Sequence, residues 1–358
     1  MIDNHLLLGL KKYSVALLYG GASPEHEVSI SSSKGVYPLL KNLTKSVYLI
    51  GISKNNEFYL QNENDFLYEI TNNIKPINKL EIIPNKGFSL NGKILNIDIA
   101  FPVTHGCYGE DGRLQGLLSY INIKTCGCDN VASAICMSKA HCSSILKDHD
   151  IKTTESIVFD IFNNYTYKEV VKKFGTKLFI KSETTGSSVG VHAIKKKIDE
   201  IEFQEIIKES FKYSNRVLVQ PLYDCMEEIE CAALEHEGKI IIGGPGIVVK
   251  PGEDTILSYD LKYAKENGAT MNTNPNLNEK VKENIRYIAK RIFKILNLKS
   301  YARIDFFYFK DGTLLLNEVN TLPGLTSVSH YPLLIKSIGI SEEEAIAIIL
   351  DGAINGRR

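Results

Sequence analysis

Residues 301–309 and 313–320 (YARIDFFYF and TLLLNEVN) are two strongly β-type runs joined through Lys310, Asp311 and Gly312. Asp-Gly is the preferred two-residue turn of a β-hairpin, so the two runs must fold back on each other. With Asp311 and Gly312 as the loop, Lys310 faces Thr313, and counting outward sets Asp305 opposite Glu318 and Arg303 opposite Asn320. Period-2 alternation puts all four on one face. Two facing carboxylates repel unless positive charge lies between them. Either a hard cation such as Mg²⁺, which Asp, Glu and Asn oxygens suit, or Arg303 itself in a plain salt-bridge cluster meets that need. Lysine outnumbers arginine 35 to 7 in the chain, so a mid-strand arginine beside two acids points to use of its planar fork.

At 358 residues the chain is about 2.4 times a ~150-residue domain, and two or three packed units are expected. After a short polar leader, residues 14–19 (SVALLY) form an apolar run ending at Gly20 and Gly21, the pattern of a buried parallel strand meeting a tight turn. A helix should follow, with Ser23 as N-cap, Pro24 at the first helical position and Glu25 in the first turn, where a carboxylate suits the helix dipole. Residues 47–52 and 97–103 read as further strands, and the N-terminal third as open α/β. Residues 53–96 are poorly periodic and read as short strands and surface loops. A helical stretch over 131–148 opens a second unit with strands at 177–181, 189–194 and 217–220 and helices near 167–173 and 200–210. The remainder alternates strands at 230–234, 239–242, 301–309 and 313–320 with helices at 279–296 and 342–354.

Forty-two basic residues balance 42 acidic ones, so no global field attracts nucleic acid or an anionic membrane. No apolar stretch approaches the ~20 residues of a membrane span, and residues 6–8 are too short for a secretory core. Seven scattered cysteines do not form a disulfide framework and fit a reducing cytoplasm. Cys126 and Cys128 lack both C-x2-C spacing and a histidine pair, so they read as ordinary semi-buried thiols rather than zinc ligands.

Two loops carry further chemistry. Lys181 begins KSETTGSSVG, a Gly/Ser loop between two strands with no helix after it. It is therefore either a plain hairpin loop or a cover for phosphates built of backbone N–H groups, with Lys181 as point charge. His105 begins HGCYGEDG directly after a strand, where the ligand loop of an α/β sheet lies, although Gly109 and Gly112 also suit simple turns. Gly20, Gly21 and Glu25 resemble a fragment of a dinucleotide fingerprint but lack its G-x-G-x-x-G spacing.

Taken in order, GGASPEHEVS at 20–29, HGCYGEDGRLQG at 105–116, ICMSK at 135–139, TGSSVGV at 185–191, LKY at 261–263, YARIDFF at 301–307 and LNEVNTLPGLTS at 316–327 resemble the D-alanine–D-alanine ligase family. That group of ATP-grasp enzymes includes the D-alanyl-D-lactate and D-alanyl-D-serine ligases. The resemblance implies an α/β ATP-grasp fold of three domains, with ATP between the central and C-terminal sheets. The expected division is 1–130 for the N-terminal substrate domain, 131–220 for the central subdomain and 221–358 for the C-terminal subdomain with the metal and oxyanion site.

The resemblance also implies a reaction. One D-alanine carboxylate attacks the γ-phosphate of ATP to give an acyl phosphate and ADP, and the amine of a second D-alanine then displaces phosphate. By motif position, Lys139, Lys181, Ser188, Gln220, Glu227 and Lys262 contact ATP. Asp305, Glu318 and Asn320 hold two Mg²⁺ ions, or Mn²⁺ in their place. Arg303 and the Gly324 N–H stabilise the oxyanion. Glu25 receives the first substrate's ammonium and links with Ser187 and Tyr263, while His105 lies near the first substrate and Ser329 near the second. Loops 182–188 and 253–270 are expected to order on substrate binding. A cytoplasmic homodimer binding no nucleic acid or membrane completes the expectation.

Two departures bear on specificity. Lys262-Tyr263 matches the dipeptide ligases, but His330 follows Ser329 where such ligases usually have an apolar residue and the resistance ligases often have arginine. Gln220 stands where the family typically has an acid facing adenine, and its amide still offers hydrogen bonds. The competing readings are a D-serine or D-lactate ligase of the same fold and a non-catalytic nucleotide-binding relative. The second would be marked by loss of a metal ligand or of the oxyanion arginine.

Overall fold

The computed structural model describes residues 4–68, 74–186, 190–223, 227–250 and 269–356. The N-terminal part runs α1 (Asn4–Leu10), β1 (Ser14–Gly20), α2 (His26–Leu43), β2 (Ser46–Ile52), β3 (Phe58–Gln61), α3 (Glu63–Tyr68), β4 (Glu81–Ile83), β5 (Gly87–Leu90), β6 (Lys93–Ile94), β7 (Ile99–Pro102), α4 (Arg113–Tyr120) and β8 (Lys124–Thr125). Its main sheet has the order β3-β2-β1-β7-β8, parallel except for the edge strand β3. Every residue of β1 is buried. Alternation sends Val15, Leu17 and Tyr19 into one core and Ala16 and Leu18 into another, as a doubly covered parallel strand requires.

Near the N-terminus the structure departs from two local expectations. The supposed polar leader is the helix α1, whose Leu10 is buried and whose Leu6 and Leu7 pack on the same core as β1. Ser23 does not cap α2, which begins at His26 with Glu25 in the cap position. The Ser23 hydroxyl is engaged elsewhere, donating to the His105 carbonyl at 2.6 Å and accepting from Glu25 N at 3.1 Å.

The expected single helix over 131–148 is two, α5 (Asn130–Met137) and α6 (Lys139–Asp148), broken at Ser138, whose backbone is extended. Both pack through Ala132, Cys136, Cys142 and Leu146 against the C-terminal sheet. A separate antiparallel sheet follows, made of β9 (Ile157–Phe159), β10 (Leu178–Ser182), β11 (Val191–Ile194) and β12 (Val217–Pro221) in the order β11-β10-β12-β9. With α7 (Tyr167–Phe174) and α8 (Glu200–Ser210) it encloses its own core of Phe159, Val170, Leu178, Phe203 and neighbours. Thr166 and Glu169 form a capping box at α7, and the Asp199 carboxylate caps α8.

The last part contains β13 (Glu227–His236), β14 (Lys239–Val249), β15 (Thr270–Asn272), α9 (Glu279–Ile295), β16 (Tyr301–Tyr308), β17 (Leu314–Asn320), α10 (His330–Lys336) and α11 (Glu342–Asn355). Its antiparallel sheet has the order β15-β14-β13-β16-β17. Ile285, Ala289, Ile292 and Phe293 recur at helical spacing on α9 and cover one face. On the other face, Ala232, Leu234 and Tyr301 join α10, α11 and the N-terminal sheet in one continuous core. The same face becomes charged further along, at Glu230, Arg303 and Asp305.

The hairpin keeps the anticipated pairs Arg303 with Asn320 and Asp305 with Glu318, by a different route. Phe309 N donates to Thr313 O and Gly312 N to Phe309 O, closing a three-residue loop with Gly312 at φ +84°. Tyr308 therefore faces Leu314, one residue out of the two-residue register, and a bulge at Asn317 restores it. The bulge also explains why Leu316 and Val319, three apart, both enter the α9 core.

Cys126 is buried in the first core and Cys128, Cys136, Cys142 and Cys231 in the second. Burial pushes the Cys128 thiol up to about 12, which suits packing rather than reactivity. Among the described residues no helix is long and apolar enough to cross a membrane.

One packing contact can be tested directly. A Cβ on Gly243 of β14 would meet the Leu334 carbonyl oxygen of α10 at 2.5 Å. Gly243→Ala is expected to lower stability by about 1–3 kcal/mol through this backbone clash, measured by denaturant unfolding. An unchanged midpoint would show that α10 shifts freely.

Candidate active site

Three neighbouring strands present an acid each at the same level. Glu230 of β13 pairs with Asp305 of β16, and Asp305 with Glu318 of β17. Glu230 and Asp305 are buried, so their charges need partners in the protein. Arg303 supplies the first, donating from Nε and Nη2 to the two Asp305 oxygens at 2.8 and 2.7 Å while its Nε lies 3.1 Å from Glu230. Asn320 Nδ2 donates to Asp305 at 2.9 Å. Burial, followed by the charges of Glu230 and Glu318, still pushes the Asp305 carboxyl up to about 7 against the pull of Arg303. Among the described residues no group of three His, Cys, Asp or Glu is arranged to hold a metal. The strand pairing instead sets two carboxylates and an amide together, so the candidate donor set is Asp305, Glu318 and the Asn320 amide oxygen, hard ligands that fit Mg²⁺.

Facing Glu318 is the N-terminus of α6. Because the helix breaks at Ser138, Lys139 starts a new helix and its Nζ reaches to 3.7 Å from Glu318, 3.0 Å from the Thr185 carbonyl and 3.4 Å from that of Glu183. Lys181, near the end of β10, is buried with Nζ 3.5 Å from Asn317 Oδ1. The bulge puts Asn317 within reach of this lysine. Gln220 at the end of β12 is also buried, and its amide donates to Thr154 at 3.0 Å. Lys139, Thr154, Gln220, Asn317 and Glu318 line one narrow cleft between the central and C-terminal sheets.

The third group lies at the carboxyl edge of the parallel sheet. The strand order reverses direction at β1, and the turns after β1 and β7 carry Glu25 and His105, so both sit at the switch point where α/β sheets bind ligands. Glu25 is buried without capping its helix. Its Oε2 occupies the space beside two glycines, since a Cβ on Gly106 would lie 2.6 Å away and one on Gly186 3.1 Å away. This carboxylate thereby meets the His105 loop and the Gly/Ser loop at once. His105 Nδ1 lies 4.0 Å from Glu110 Oε1, and the other Glu110 oxygen accepts from Gly106 N. Burial lowers the His105 pKa, but Glu110, helped by Glu25, more than offsets it, and the net shift is above the ordinary 6.5.

The loop after β17 brings Gly324 and Ser329 together, with Ser329 Oγ 2.8 Å from where a Gly324 Cβ would be and 2.7 Å from Thr326 Oγ1. His330 Nδ1 lies 3.0 Å from Glu230 Oε2.

Comparison with known proteins settles the family. Residues 14–128 match the model for the D-ala D-ala ligase N-terminus and residues 145–351 that for its C-terminus. A D-alanine–D-alanine ligase of Oceanobacillus iheyensis is 34% identical over 356 residues, covering 96% of this chain and 95% of the relative. The chain belongs to the D-alanine–D-alanine ligase family. Its structure is similar to VanG D-Ala:D-Ser ligase from Enterococcus faecalis (TM-score 0.81, 28% identity, 96% and 100% coverage). It is also similar to the D-alanine–D-alanine ligase of Coxiella burnetii (TM-score 0.82, 29% identity, 96% and 94% coverage). The fold is the ATP-grasp fold that the sequence resemblance implied.

Against that family pattern, Lys139, Gln220 and Glu318 line the cleft, Lys181 lies beside its Asn317, and Asp305 and Asn320 follow Glu318 along the sheet, with Arg303, Glu230 and His330 continuing the row. Glu25 and His105 stand together across the Gly/Ser loop. Glu227 does not join them. It pairs with Tyr308, and alternation sends it to the side of Ile229, whereas Glu228 shares the face of Glu230 and Asp305. Ser187, Ser188, Lys262 and Tyr263 lie outside the described residues, as does most of the 253–270 loop. The sequence reading misses Glu230, although the period-2 pair Glu228 and Glu230 signals a charged face on β13. It also misses Asn317, whose bulge is signalled by the three-residue spacing of Leu316 and Val319.

The His105–Glu110 pair has a measurable sign. A histidine with a raised folded pKa adds stability that is fully present below about 6.5 and lost as pH rises through the folded value. Glu110→Gln removes the main offset to burial and should lower the His105 pKa by about 1–3 units, read from its ring proton shifts across pH. An unmoved titration would mean that Glu110 does not hold the proton.

Proposed function

We propose that the protein ligates two D-alanines to D-alanyl-D-alanine, driven by ATP, for peptidoglycan precursor synthesis in the cytoplasm. The observation that carries the reading is the complete set Arg303, Asp305, Glu318 and Asn320 on one hairpin face, opposite Lys139, in a chain of this family. Loss of one of these residues would have marked a non-catalytic relative.

In this reading Lys139 and Lys181 hold the ATP phosphates, and Gln220 and Glu228 border the base and ribose. Asp305, Glu318 and Asn320 would hold Mg²⁺, which when bound neutralises phosphate charge. Glu25 receives the ammonium of the first D-alanine, and His105 stands beside its carboxylate. That carboxylate attacks the γ-phosphorus, the bond to the β-phosphate bridging oxygen breaks, and ADP leaves an acyl phosphate. The amine of the second D-alanine then attacks the acyl carbon. Arg303 and the Gly324 N–H stabilise the oxyanion, phosphate departs, and the amine proton is lost. Ser329 orients the second substrate. The division into units at 1–130, 131–220 and 221–358 and a homodimeric state belong to the same reading.

A D-serine acceptor is the second reading, favoured by one observation. His330 beside the acceptor loop is held by Glu230, so a polar side chain is fixed where an apolar one is usual, and the similar VanG structure is that of a D-Ala:D-Ser ligase. The test is ADP release with Mg-ATP and D-alanine, alone and with D-serine or D-lactate, with product masses. D-alanyl-D-alanine is expected to dominate near neutral pH. A dominant mixed product would transfer the protein to the second reading, and absence of ADP and product would overturn both. Arg303→Lys, which loses the planar fork, should lower kcat by about 10²–10³ while KM for ATP changes little. An equal rise in KM with kcat intact would remove Arg303 from the oxyanion role.

A further inference from the structure

Ser138 stands at the break between α5 and α6, in the cap position of α6, yet its hydroxyl makes no cap. It donates instead to Glu183 Oε1 at 2.7 Å, and its Oγ lies 2.7 Å from His141 Nδ1. Glu183 follows β10 two residues after Lys181, and its side chain is only 3% exposed. Arg216 Nη1 donates to both of its oxygens, at 2.9 and 3.2 Å, and the Glu183 N–H donates to the Arg216 carbonyl at 3.0 Å. Asp160 lies 3.8 Å from Arg216 Nε on the far side. A buried carboxylate is costly unless paired, so this one holds three elements together: the start of α6, the end of β10 and the approach to β12.

The geometry points to Glu183 as a positioning residue for ATP. Its side chain grips Ser138, the residue before Lys139, while its own carbonyl accepts from Lys139 Nζ at 3.4 Å. The loop is therefore tied to the helix twice, once through each end of the same residue. Lys181, on β10, lies two residues before Glu183 with its Nζ beside Asn317 of the cleft wall, so the tie fixes the spacing between its ammonium group and that of Lys139. A triphosphate needs both cations at set places, and pre-set charges bind without reorganising. Arg216 neutralises Glu183, which keeps that carboxylate from opposing the phosphates. The inference rests on the reading of Lys139 and Lys181 as phosphate contacts.

The test is steady-state kinetics on the full chain for Glu183→Ala, Glu183→Gln and Ser138→Ala, with Lys139→Ala as the control for the underlying reading. Glu183→Ala should raise KM for ATP about tenfold, the effect of losing one hydrogen bond to a charged group, with KM for D-alanine unchanged. Glu183→Gln keeps an acceptor for Ser138 and for Arg216 and should recover most of the loss. Ser138→Ala should raise KM for ATP less, and the double variant with Glu183→Ala should be no worse than Glu183→Ala alone. Proportional changes in both KM values, or a lowered thermal midpoint with KM for ATP intact, would overturn the proposal and leave Glu183 a purely structural ion pair. If Lys139→Ala raises KM for ATP and Glu183→Ala does not, the positioning role fails while the phosphate reading stands. If Lys139→Ala itself leaves KM for ATP unchanged, it is the phosphate reading that fails.

Discussion

Three carboxylates side by side across three strands, two of them buried, are an arrangement no sheet tolerates without compensating charge, and much of this molecule is organised around supplying it. Arg303 clamps Asp305 and reaches Glu230, His330 closes on Glu230 from α10, and Lys139 approaches Glu318 from α6. Each comes from a different segment. The acid row therefore draws the C-terminal sheet, the start of α10 and the helix pair α5–α6 to one place. Truncating one member would leave a buried charge unpaired, which explains why the polar groups here are so closely interlinked.

Much of this row is legible in the amino-acid sequence, because hairpin register and period-2 alternation are short-range rules. They place Arg303, Asp305, Glu318 and Asn320 on one face correctly, yet for partly accidental reasons. A three-residue loop moves the register by one, and the Asn317 bulge moves it back. The bulge is set by packing, since Leu316 and Val319 both enter the α9 core, and their three-residue spacing gains that meaning only once the helix distant in the chain is in place. The break at Ser138 escapes notice for a similar reason. Apolar periodicity runs through it, and the partner that the Ser138 hydroxyl finds at the break, Glu183, lies 45 positions further along.

Motif positions are reliable in proportion to what fixes them. Glu25 and His105 follow strands of a parallel sheet, and the topology alone brings such turns together. Glu227 rests on motif spacing, which tolerates an error of one, and in a strand an error of one is an error of face. Glu230 is hard to single out because an acid in mid-strand has no local partner to announce it. Its partners, Arg303 and His330, are 73 and 100 positions away in the chain.

The four-stranded central unit keeps its apolar residues in a core of its own, while the other two parts share theirs. Across the cleft it is tied mainly by Ser138 and Lys139 to Glu183, by Lys181 to Asn317, by Gln220 to Thr154 and by Tyr223 beside Phe307. Apart from the rings of Tyr223, Phe307 and Phe309, these contacts are polar. The core of the central unit is thus made of that unit's own residues, and its links to the rest of the molecule are largely polar. In the proposed reading, a triphosphate held by Lys139 on α6 and Lys181 on β10 would supply between these two walls the cohesion that a shared core supplies between layers elsewhere.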